Sequence, residues 1–372
     1  MGAAEDVRFM RAALKLARKG VGFTSPNPAV GAVIVRNNKI IAGGYHRRAG
    51  LAHAEIEALS GLKARALKGS TLYVTLEPCC CYGRTPPCTD AVIGSGISKV
   101  VVGATDPNPA VAGEGLRALK SAGLTVVSGV LESESLAINE GYARHITTGL
   151  PFVILKLASS LDGRTATSRG ESRWITGEAS RRYVHRVRSD VDAVMVGSGT
   201  ILKDDPALTV RLTGGKAKNP VRVIVDSSFK TPLGAKVFKG IEGSGLYIFT
   251  TKKAGVEKIK KASALGARVV TLRETARGVS LKSVVKRLGR DNITSLLIEG
   301  GGRLAASAIK EGVVDKVMWF AAPLILGADA KPAVSDLSVS ALKLAPRLSK
   351  VKARRMGDDL LVEGYLSGRK RK

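Results

Sequence analysis

The sequence has few aromatic residues, few acidic residues and only four cysteines. Aromatic residues make up 4% of its 372 residues. No stretch reaches the ~18 uninterrupted apolar residues that a transmembrane helix needs, so the sequence predicts no membrane span. The first twenty residues include Glu5 and Asp6 and have no apolar core before a cleavage site, which is unlike a signal or transit peptide. We therefore expect a cytoplasmic protein.

The shortage of acidic residues leaves a large positive charge. There are 59 Lys and Arg against 31 Asp and Glu, a net charge of +28. Residues 1–150 contain 17 basic and 11 acidic residues, and the remaining 42 basic and 20 acidic residues carry most of the excess. Nucleic acid is one possible partner of such a chain. With few aromatics and no basic helix that interleaves them, we do not expect nucleic acid and favour phosphorylated small molecules.

The hydrophobic pattern indicates two α/β domains. In residues 1–148 apolar strands at 30–35, 40–41, 71–76, 99–103 and 124–127 alternate with helical patterns at 9–17, 54–67, 89–94 and 113–122. A break follows at 147–151, and a second domain is predicted over 151–372. Its predicted strands are 152–158, 193–197, 221–225, 246–250, 268–271, 295–298, 316–321 and 360–366, with helices at 177–188, 281–288 and 303–310.

The cysteines cluster in one loop, EPCCCYGRTPPC at residues 77–88. His53 opens a predicted helix, Cys79 ends a predicted strand, and Cys88 precedes another helix. One imidazole and two thiolates suit tetrahedral zinc and leave a fourth position for water, as in catalytic sites. Glu55 follows His53 by two residues, where it could relay the water proton to a leaving amine. These residues therefore predict a zinc-dependent deaminase.

Two other interpretations of this loop stay open at this point. Cys80 or Cys81 could supply a fourth ligand, which would make a closed structural zinc site. The protein would then be a zinc-stabilised binding protein, although such a site needs no proton relay at Glu55. The zinc signature and the positive charge together also fit a nucleic-acid-editing deaminase.

Several motifs of the first half resemble the bifunctional riboflavin-biosynthesis deaminase–reductase family. They are SPNPAVG at 25–31, HAE at 53–55, TLEPC at 75–79, GRTPPCT at 83–89 and DPNP at 106–109. The resemblance implies a cytidine-deaminase-like α/β/α sandwich in which His53, Cys79 and Cys88 bind zinc and Glu55 is catalytic. It also implies that Asn27, His46 and Arg84 bind the pyrimidine substrate. The family usually has Ser-His where this chain has Cys80-Cys81.

The second half has a glycine-rich turn, EGGG at 299–302, between a predicted strand and a predicted helix. Such a turn allows a phosphate to approach backbone N–H groups, but it lacks the G-x-G-x-x-G pattern of a Rossmann fold. By itself the turn could equally be only a connection.

The motifs LKLASSLDGR at 155–164, GESRWITG at 170–177 and DDPALTVR at 204–211 extend the resemblance to the family's reductase domain. It implies a dihydrofolate-reductase-like α/β fold that uses NADPH. The implied substrate residues are Ser172, Arg188, Leu208, Arg211 and Glu299. The implied cofactor residues are Ala158, Trp174, Thr200, Asp204, Ser227, Gly301, Gly302 and Arg303.

The expected function combines two reactions. The first domain would deaminate a diamino-hydroxy-phosphoribosylamino-pyrimidine through zinc hydroxide. The second would reduce the ribosyl group of 5-amino-6-(5-phosphoribosylamino)uracil to ribityl with NADPH. Zinc and NADPH are the expected cofactors, phosphorylated pyrimidines the expected partners, and a dimer or tetramer the expected assembly.

Overall fold

The computed structural model describes residues 2–82, 86–212, 217–276 and 278–367. Contacts divide the chain into two compact units, Met1–Gly149 and Leu150–Lys372. Within the described residues, no helix combines the length and apolar character needed to cross a membrane.

The first unit has five strands and seven helices among its described residues. In chain order they are α1 (Ala3–Ala17), β1 (Gly31–Arg36), β2 (Lys39–Tyr45), α2 (Ala54–Leu59), α3 (Ala64–Leu67), β3 (Thr71–Leu76), α4 (Cys88–Ile93), β4 (Lys99–Ala104), α5 (Glu114–Ser121), β5 (Thr125–Ser128), α6 (Glu132–Ile138) and α7 (Glu140–Thr148).

These strands form one sheet in the order β2-β1-β3-β4-β5. β1 runs antiparallel to β2 and β3, whereas β3, β4 and β5 are parallel. Apolar clusters cover both faces: one includes Leu72, Val92 and Leu119, and the other includes Phe9 and Tyr73. The sheet is therefore enclosed between two layers of helices, as predicted for an α/β/α sandwich.

The helix that the pattern predicts over 54–67 is in fact two short helices. Gly61 lies between α2 and α3 with φ +81°, in the left-handed region that glycine adopts most easily. α2 also packs directly on β2, because a Cβ at Gly44 would come within 2.6 Å of Ala54 O and 2.5 Å of Ala58 N. This close contact fixes the start of α2, where His53 and Glu55 lie.

The second unit begins with β6 (Phe152–Ser160), β7 (Arg164–Ala166), α8 (Glu178–Asp190), β8 (Ala193–Gly197), α9 (Ser198–Asp204), β9 (Val221–Val225), a 3-10 turn (Lys236–Phe238), α10 (Ile241–Ser244), β10 (Leu246–Thr250) and α11 (Val256–Ala264). It continues with β11 (Arg268–Thr271), β12 (Glu274–Thr275), β13 (Gly278–Val279), α12 (Leu281–Arg290), β14 (Ser295–Ile298), α13 (Gly302–Lys310), β15 (Lys316–Ala322), β16 (Lys331–Pro332), a 3-10 turn (Leu342–Leu344), β17 (Arg347–Met356) and β18 (Asp359–Ser367).

Nine of these strands form one sheet in the order β11-β10-β9-β8-β14-β6-β15-β18-β17. The first seven are parallel, and β18 and β17 extend the edge in antiparallel pairing. Two large apolar clusters cover its faces, one around Leu155 and Leu296 and the other around Ile224 and Ile248. The carboxyl ends of β6, β8, β9 and β14 thereby come to one edge, where parallel α/β sheets commonly bind ligands.

The α/β class predicted for both halves is confirmed, and each of the predicted strands is present, with shifts of a few residues. The pattern did not predict the helices α6, α7, α9, α10 and α11 or the strands β7, β12, β13, β16 and β17. β17 is almost entirely exposed, so it has no apolar alternation that could reveal it.

Candidate functional sites

His53, Cys79 and Cys88 lie together in the first unit. Their ligand atoms all lie within 4.8 Å of one another. His53 Nδ1 is 3.2 Å from Cys88 Sγ and 3.5 Å from Cys79 Sγ. Within the described part of the chain, neither Cys80 nor Cys81 belongs to this cluster. The closed four-ligand site is therefore not what the structure shows.

Local structure explains how three distant residues meet. His53 is the N-cap of α2, and Cys88 is the first residue of α4. Cys79 follows the carboxyl end of β3, and its carbonyl accepts hydrogen bonds from the Thr89 N–H (3.2 Å) and hydroxyl (3.3 Å). Two helix starts thus converge on one strand end. Helix N-termini also favour negative charge, which suits thiolate ligands.

The electrostatics of the cluster differ between the two thiols. A hydrogen bond with Cys88, helped by His53, lowers the pKa of Cys79 to about 4. The same hydrogen bond raises the pKa of Cys88. Burial raises the pKa of Glu55, which is 3% exposed, to about 7. A carboxyl group with this pKa can both accept and release a proton near neutral pH.

Asn27 and His46 form a hydrogen-bonded pair beside the cluster. His46 Nδ1 lies 3.0 Å from the Ala52 carbonyl, so this nitrogen donates, and Nε2 accepts from Asn27 Nδ2 at 3.3 Å. Burial lowers the pKa of His46, which keeps the ring neutral. The rings of His46 and His53 are in edge contact with centroids 5.2 Å apart. The predicted residue Arg84 lies outside the described residues.

Glu77 is a residue of this site that the sequence reasoning did not assign. It is buried two residues before Cys79. Its carboxylate accepts hydrogen bonds from the backbone N–H groups of Asp106 (3.0 Å), Gly113 (3.0 Å) and Leu116 (3.2 Å). It therefore ties the 106–116 segment to the strand end that carries Cys79. Its position in the TLEPC motif at 75–79 was the feature of the sequence that could have indicated it.

A second site is a cavity of about 1970 Å³ within the second unit. All the residues that the sequence assigned there to substrate or cofactor line this cavity: Ala158, Ser172, Trp174, Arg188, Thr200, Asp204, Leu208, Arg211, Ser227, Glu299, Gly301, Gly302 and Arg303. The structure thus brings together residues that are up to 145 positions apart in the sequence.

The glycine-rich turn forms part of the cavity wall. Gly301 is the N-cap of α13, and a Cβ placed there would meet no atom within 4 Å. Gly302, by contrast, packs against Pro332 O, which a Cβ would approach to 2.6 Å. The turn is therefore open at Gly301 and tightly packed at Gly302. An open helix N-terminus of this kind suits a phosphate group.

Arg188 and Glu299 form a largely buried ion pair at the carboxyl end of β14. Arg188 Nε donates to Glu299 Oε1 at 2.5 Å and Nη2 donates to Oε2 at 2.9 Å, with side chains only 14% and 9% exposed. Burial tends to raise the pKa of Glu299, but the Arg188 charge and hydrogen bonds outweigh this and hold it below its usual range. Arg188 already uses part of its guanidinium for Glu299, so fewer N–H groups remain for a ligand.

Two further residues of this cavity were missed in the sequence reasoning. Lys156 lies on β6, and burial lowers its pKa. Burial together with Arg188 and Arg211 lowers the pKa of His185 to about 4, so its ring is neutral at pH 7. The Arg211 backbone N–H donates to His185 Nδ1 at 3.2 Å. Lys156 lies in the LKLASSLDGR motif, which was the available indication, whereas His185 lies outside the quoted motifs and only the fold shows its position.

The comparison with known families agrees with both sites. Residues 151–362 match the RibD C-terminal domain, and residues 3–104 match the cytidine and deoxycytidylate deaminase zinc-binding region. The chain is 44% identical over 357 residues to the riboflavin biosynthesis protein RibD of Aquifex aeolicus, covering 96% of this chain and 97% of that protein. The chain belongs to the RibD family.

Other RibD proteins are similar along their whole length. The Escherichia coli protein is 38% identical over 370 residues, covering 96% of this chain and 98% of its own. The solved structure of Acinetobacter baumannii RibD has a TM-score of 0.88 at 35% identity and covers 99% of this chain and 100% of its own. The Thermotoga maritima structure has a TM-score of 0.86 at 37% identity, with 98% and 99% covered.

The predicted family and function are confirmed by these matches. As a RibD protein the chain is a bifunctional deaminase and reductase of riboflavin biosynthesis, with a zinc-binding deaminase domain and a reductase domain that uses NADPH. The donor set of one imidazole and two thiols fits zinc. The large cavity with an open helix N-terminus fits a dinucleotide.

Proposed function

We propose that residues 1–148 form the deaminase domain and residues 151–372 the reductase domain. The substrates we propose are those in the description of the Thermotoga maritima structure, a diaminohydroxyphosphoribosylaminopyrimidine deaminase and 5-amino-6-(5-phosphoribosylamino)uracil reductase. Similarity to that chain over 98% of this one supports the proposal. The observation that most supports it is that the described residues form two clusters, each within a single unit.

In the deaminase domain, we propose His53, Cys79 and Cys88 as the zinc ligands. Zinc supplies hydroxide at neutral pH when it is bound. The Glu55 carboxylate takes up the proton that the water loses and delivers it to the amine nitrogen that leaves as ammonia. The hydrogen-bonded pair of Asn27 and His46 orients the pyrimidine ring, and Arg84 contacts the phosphate.

In the reductase domain, we propose that Ser172, Arg188, Leu208, Arg211 and Glu299 hold the substrate. NADPH supplies the hydride. The proposed cofactor contacts are Ala158, Trp174, Thr200, Asp204, Ser227, Gly301, Gly302 and Arg303, all in the cavity wall. Arg211 is exposed, and we assign it the phosphate because a guanidinium matches phosphate geometry. Glu299 holds Arg188 in place through their two hydrogen bonds.

Mass spectrometry of the products tests the proposal. Without NADPH, the purified zinc-loaded protein should convert the diaminopyrimidine to a product in which an amine is replaced by a carbonyl oxygen. With NADPH, the product should gain a hydride and a proton as well. A cytidine or an oligonucleotide supplied as substrate is the control and should stay unchanged. If the diaminopyrimidine also stays unchanged, the proposed deaminase substrate is wrong.

We also propose that the protein acts in the cytoplasm as a homo-oligomer, a dimer or tetramer. The four cysteines are all free, which fits a reducing compartment. Light scattering of the purified protein would measure the number of chains in the assembly. Nucleic acid is not a proposed partner.

A further inference from the structure

Cys80 and Cys81 form a pair of thiols at the surface of the first unit. Their Sγ atoms lie 4.0 Å apart. Cys81 is exposed, and Cys80 is partly exposed. The neighbouring Tyr82 is 80% exposed, so this part of the loop is open to solvent. The pair directly follows Cys79, yet its sulfur atoms are outside the cluster of His53, Cys79 and Cys88.

Geometry decides which chemistry suits this pair. Successive Cα atoms lie about 3.8 Å apart across a trans peptide, whereas disulfides usually join Cα atoms about 4.4–6.8 Å apart. A disulfide between neighbouring cysteines is therefore strained. Two bonds of roughly 2.3 Å from one atom hold two sulfurs about 3.5 Å apart at the bond angle near 100° of a pyramidal arsenic(III) centre. The observed separation of 4.0 Å is closer to this span than to the length of about 2.05 Å of a direct S–S bond.

We propose that Cys80 and Cys81 form a binding site for a thiophilic centre that takes two thiolates, of which a trivalent arsenical is the representative. The site is separate from the proposed zinc ligands. Its occupation inhibits deamination, and this second part rests on the deaminase function proposed above.

The binding step needs no oxidant or reductant. With an organic arsenic(III) oxide, two As–S bonds form and the arsenic–oxygen bond breaks. The oxygen leaves as water with the two thiol protons. Arsenic stays trivalent and both sulfurs keep their oxidation state. A dithiol reagent can reverse the reaction by taking the arsenic as its own cyclic adduct.

Inhibition follows from the position of the pair in the chain. Cys80 is one peptide bond from Cys79, whose carbonyl is held by the Thr89 N–H and hydroxyl at the start of α4. A bridging atom fixes the backbone of residues 80–81 and places a bulky group beside the proposed ligand. Displacements of about 1 Å near reacting groups can cost on the order of a hundredfold in rate. The described residues that line the reductase cavity all belong to the second unit.

Phenylarsine oxide added to the zinc-loaded full chain tests the proposal. We expect one adduct by intact mass, a loss of ammonia release on the order of a hundredfold, and unchanged NADPH oxidation when deaminated substrate is supplied. A dithiol should restore deamination, whereas a monothiol at the same thiol concentration should not. Cys80→Ser and Cys81→Ser should each take no stable adduct and keep deamination in the presence of the reagent.

Zinc release, followed with a chromogenic chelator, separates this site from the proposed ligands. An adduct that persists in both serine variants, or that forms only as zinc is released, would place the arsenical on Cys79 and Cys88 and overturn the proposal. An adduct on the wild type with full deamination would overturn the inhibition. If the untreated protein shows no deamination, the proposed function fails, while the mass measurement still decides the dithiol site.

Discussion

Glu55 is the single residue on which the deaminase account depends most. It is buried, and it lies two positions after His53 at the start of α2. Its carboxyl group has a pKa of about 7 because of burial. We interpret it as a proton carrier rather than a metal ligand, since the described metal cluster of His53, Cys79 and Cys88 does not include it.

Glu55→Gln keeps the size of the side chain but cannot carry a proton. We expect ammonia release to fall by about 10²–10⁴-fold, the usual contribution of general acid–base catalysis. Bound zinc, measured by atomic emission, should stay near the wild-type level. NADPH oxidation with deaminated substrate is the internal control and should be unchanged. Wild-type deamination by this variant would assign the proton transfer to another residue.

The Arg188–Glu299 pair predicts an acid-dependent stability in the second unit. The pKa of Glu299 is lowered in the folded protein, so the pair stabilises the fold above the unfolded pKa of about 4.3 and loses this contribution as pH falls through the folded pKa. Glu299→Gln leaves a buried Arg188 charge without its partner. Breaking such a pair typically costs about 3–5 kcal/mol.

Amide hydrogen exchange of α8 and β14 measures this cost locally. We expect Glu299→Gln to lower the free energy of local unfolding of these elements at pH 7. In the variant, this free energy should also fall less between pH 7 and acid pH than it does in the wild type. Glu178→Gln is a matched control, because Glu178 pairs with Arg182 on the same helix but both side chains are exposed, at 77% and 65%. The control should change stability by no more than about 0.5 kcal/mol. Equal effects of the two variants would contradict the role of the buried pair.

At this scale the sequence predicted the residues that lie in short motifs. His53, Glu55, Cys79 and Cys88 were proposed because two helix starts and one strand end each leave a local pattern, and the structure brings the His and the two Cys together. Lys156 and His185 were not assigned, because their place in the cavity wall and their lowered pKa values depend on burial in the folded unit. Arg188 also donates two hydrogen bonds to Glu299, which is 111 residues away in the sequence, and only the fold shows this pairing.

At the scale of elements, the segment 106–116 is held against β3 by one side chain. The Glu77 carboxylate accepts three backbone N–H groups from it. Gly115 lies so close to this strand end that a Cβ there would come within 2.2 Å of Pro78 O. The segment therefore depends on Glu77 for its position beside the proposed zinc ligands.

Glu77→Gln replaces one accepting oxygen with an NH₂ group that cannot accept these bonds. A buried N–H left without its acceptor costs about 1–3 kcal/mol. We expect faster hydrogen exchange in 106–116 and weaker deamination with zinc retained. Glu114→Gln is the control, because Glu114 is exposed on α5 and pairs only with nearby Arg117 among its described ion pairs. If both variants exchange and deaminate alike, Glu77 does not position the segment.

Secondary structure was predictable where burial imposes a hydrophobic pattern on the sequence. The fully buried β3 gave an apolar run, whereas the exposed edge strand β17 gave none. β17 is held by its register with β18, for instance Arg355 opposite Leu360, and such pairing leaves no mark in a single sequence. The division of the predicted 54–67 helix at Gly61 reflects a backbone conformation that periodicity alone does not report.

At the scale of the whole molecule, the positive charge is unevenly distributed between the two units, and this distribution fits the reactions proposed for them. Residues after 150 hold 42 basic and 20 acidic residues. Several of the basic residues line the reductase cavity, including Arg173, Arg181, Lys203 and Lys331. A cavity that holds both a phosphorylated substrate and a phosphate-bearing cofactor benefits from such charges. Part of the positive charge therefore has a local explanation.

The central claim is that the chain contains two independent active sites, one in each unit. Each candidate cluster draws all its described residues from a single unit. Loss of the metal should therefore affect one reaction and leave the other unchanged. Both reactions can be measured on the intact chain, without separating the domains.

Zinc removal by a chelator tests the claim most directly, with ammonia release and NADPH oxidation measured on the same metal-free sample. Deaminated substrate is supplied for the second assay, and circular dichroism checks that the chain stays folded. We expect ammonia release to disappear and to return when zinc is added back, while NADPH oxidation continues at the original rate. Loss of NADPH oxidation from a folded, zinc-free chain would contradict the account and require an active site shared between the units.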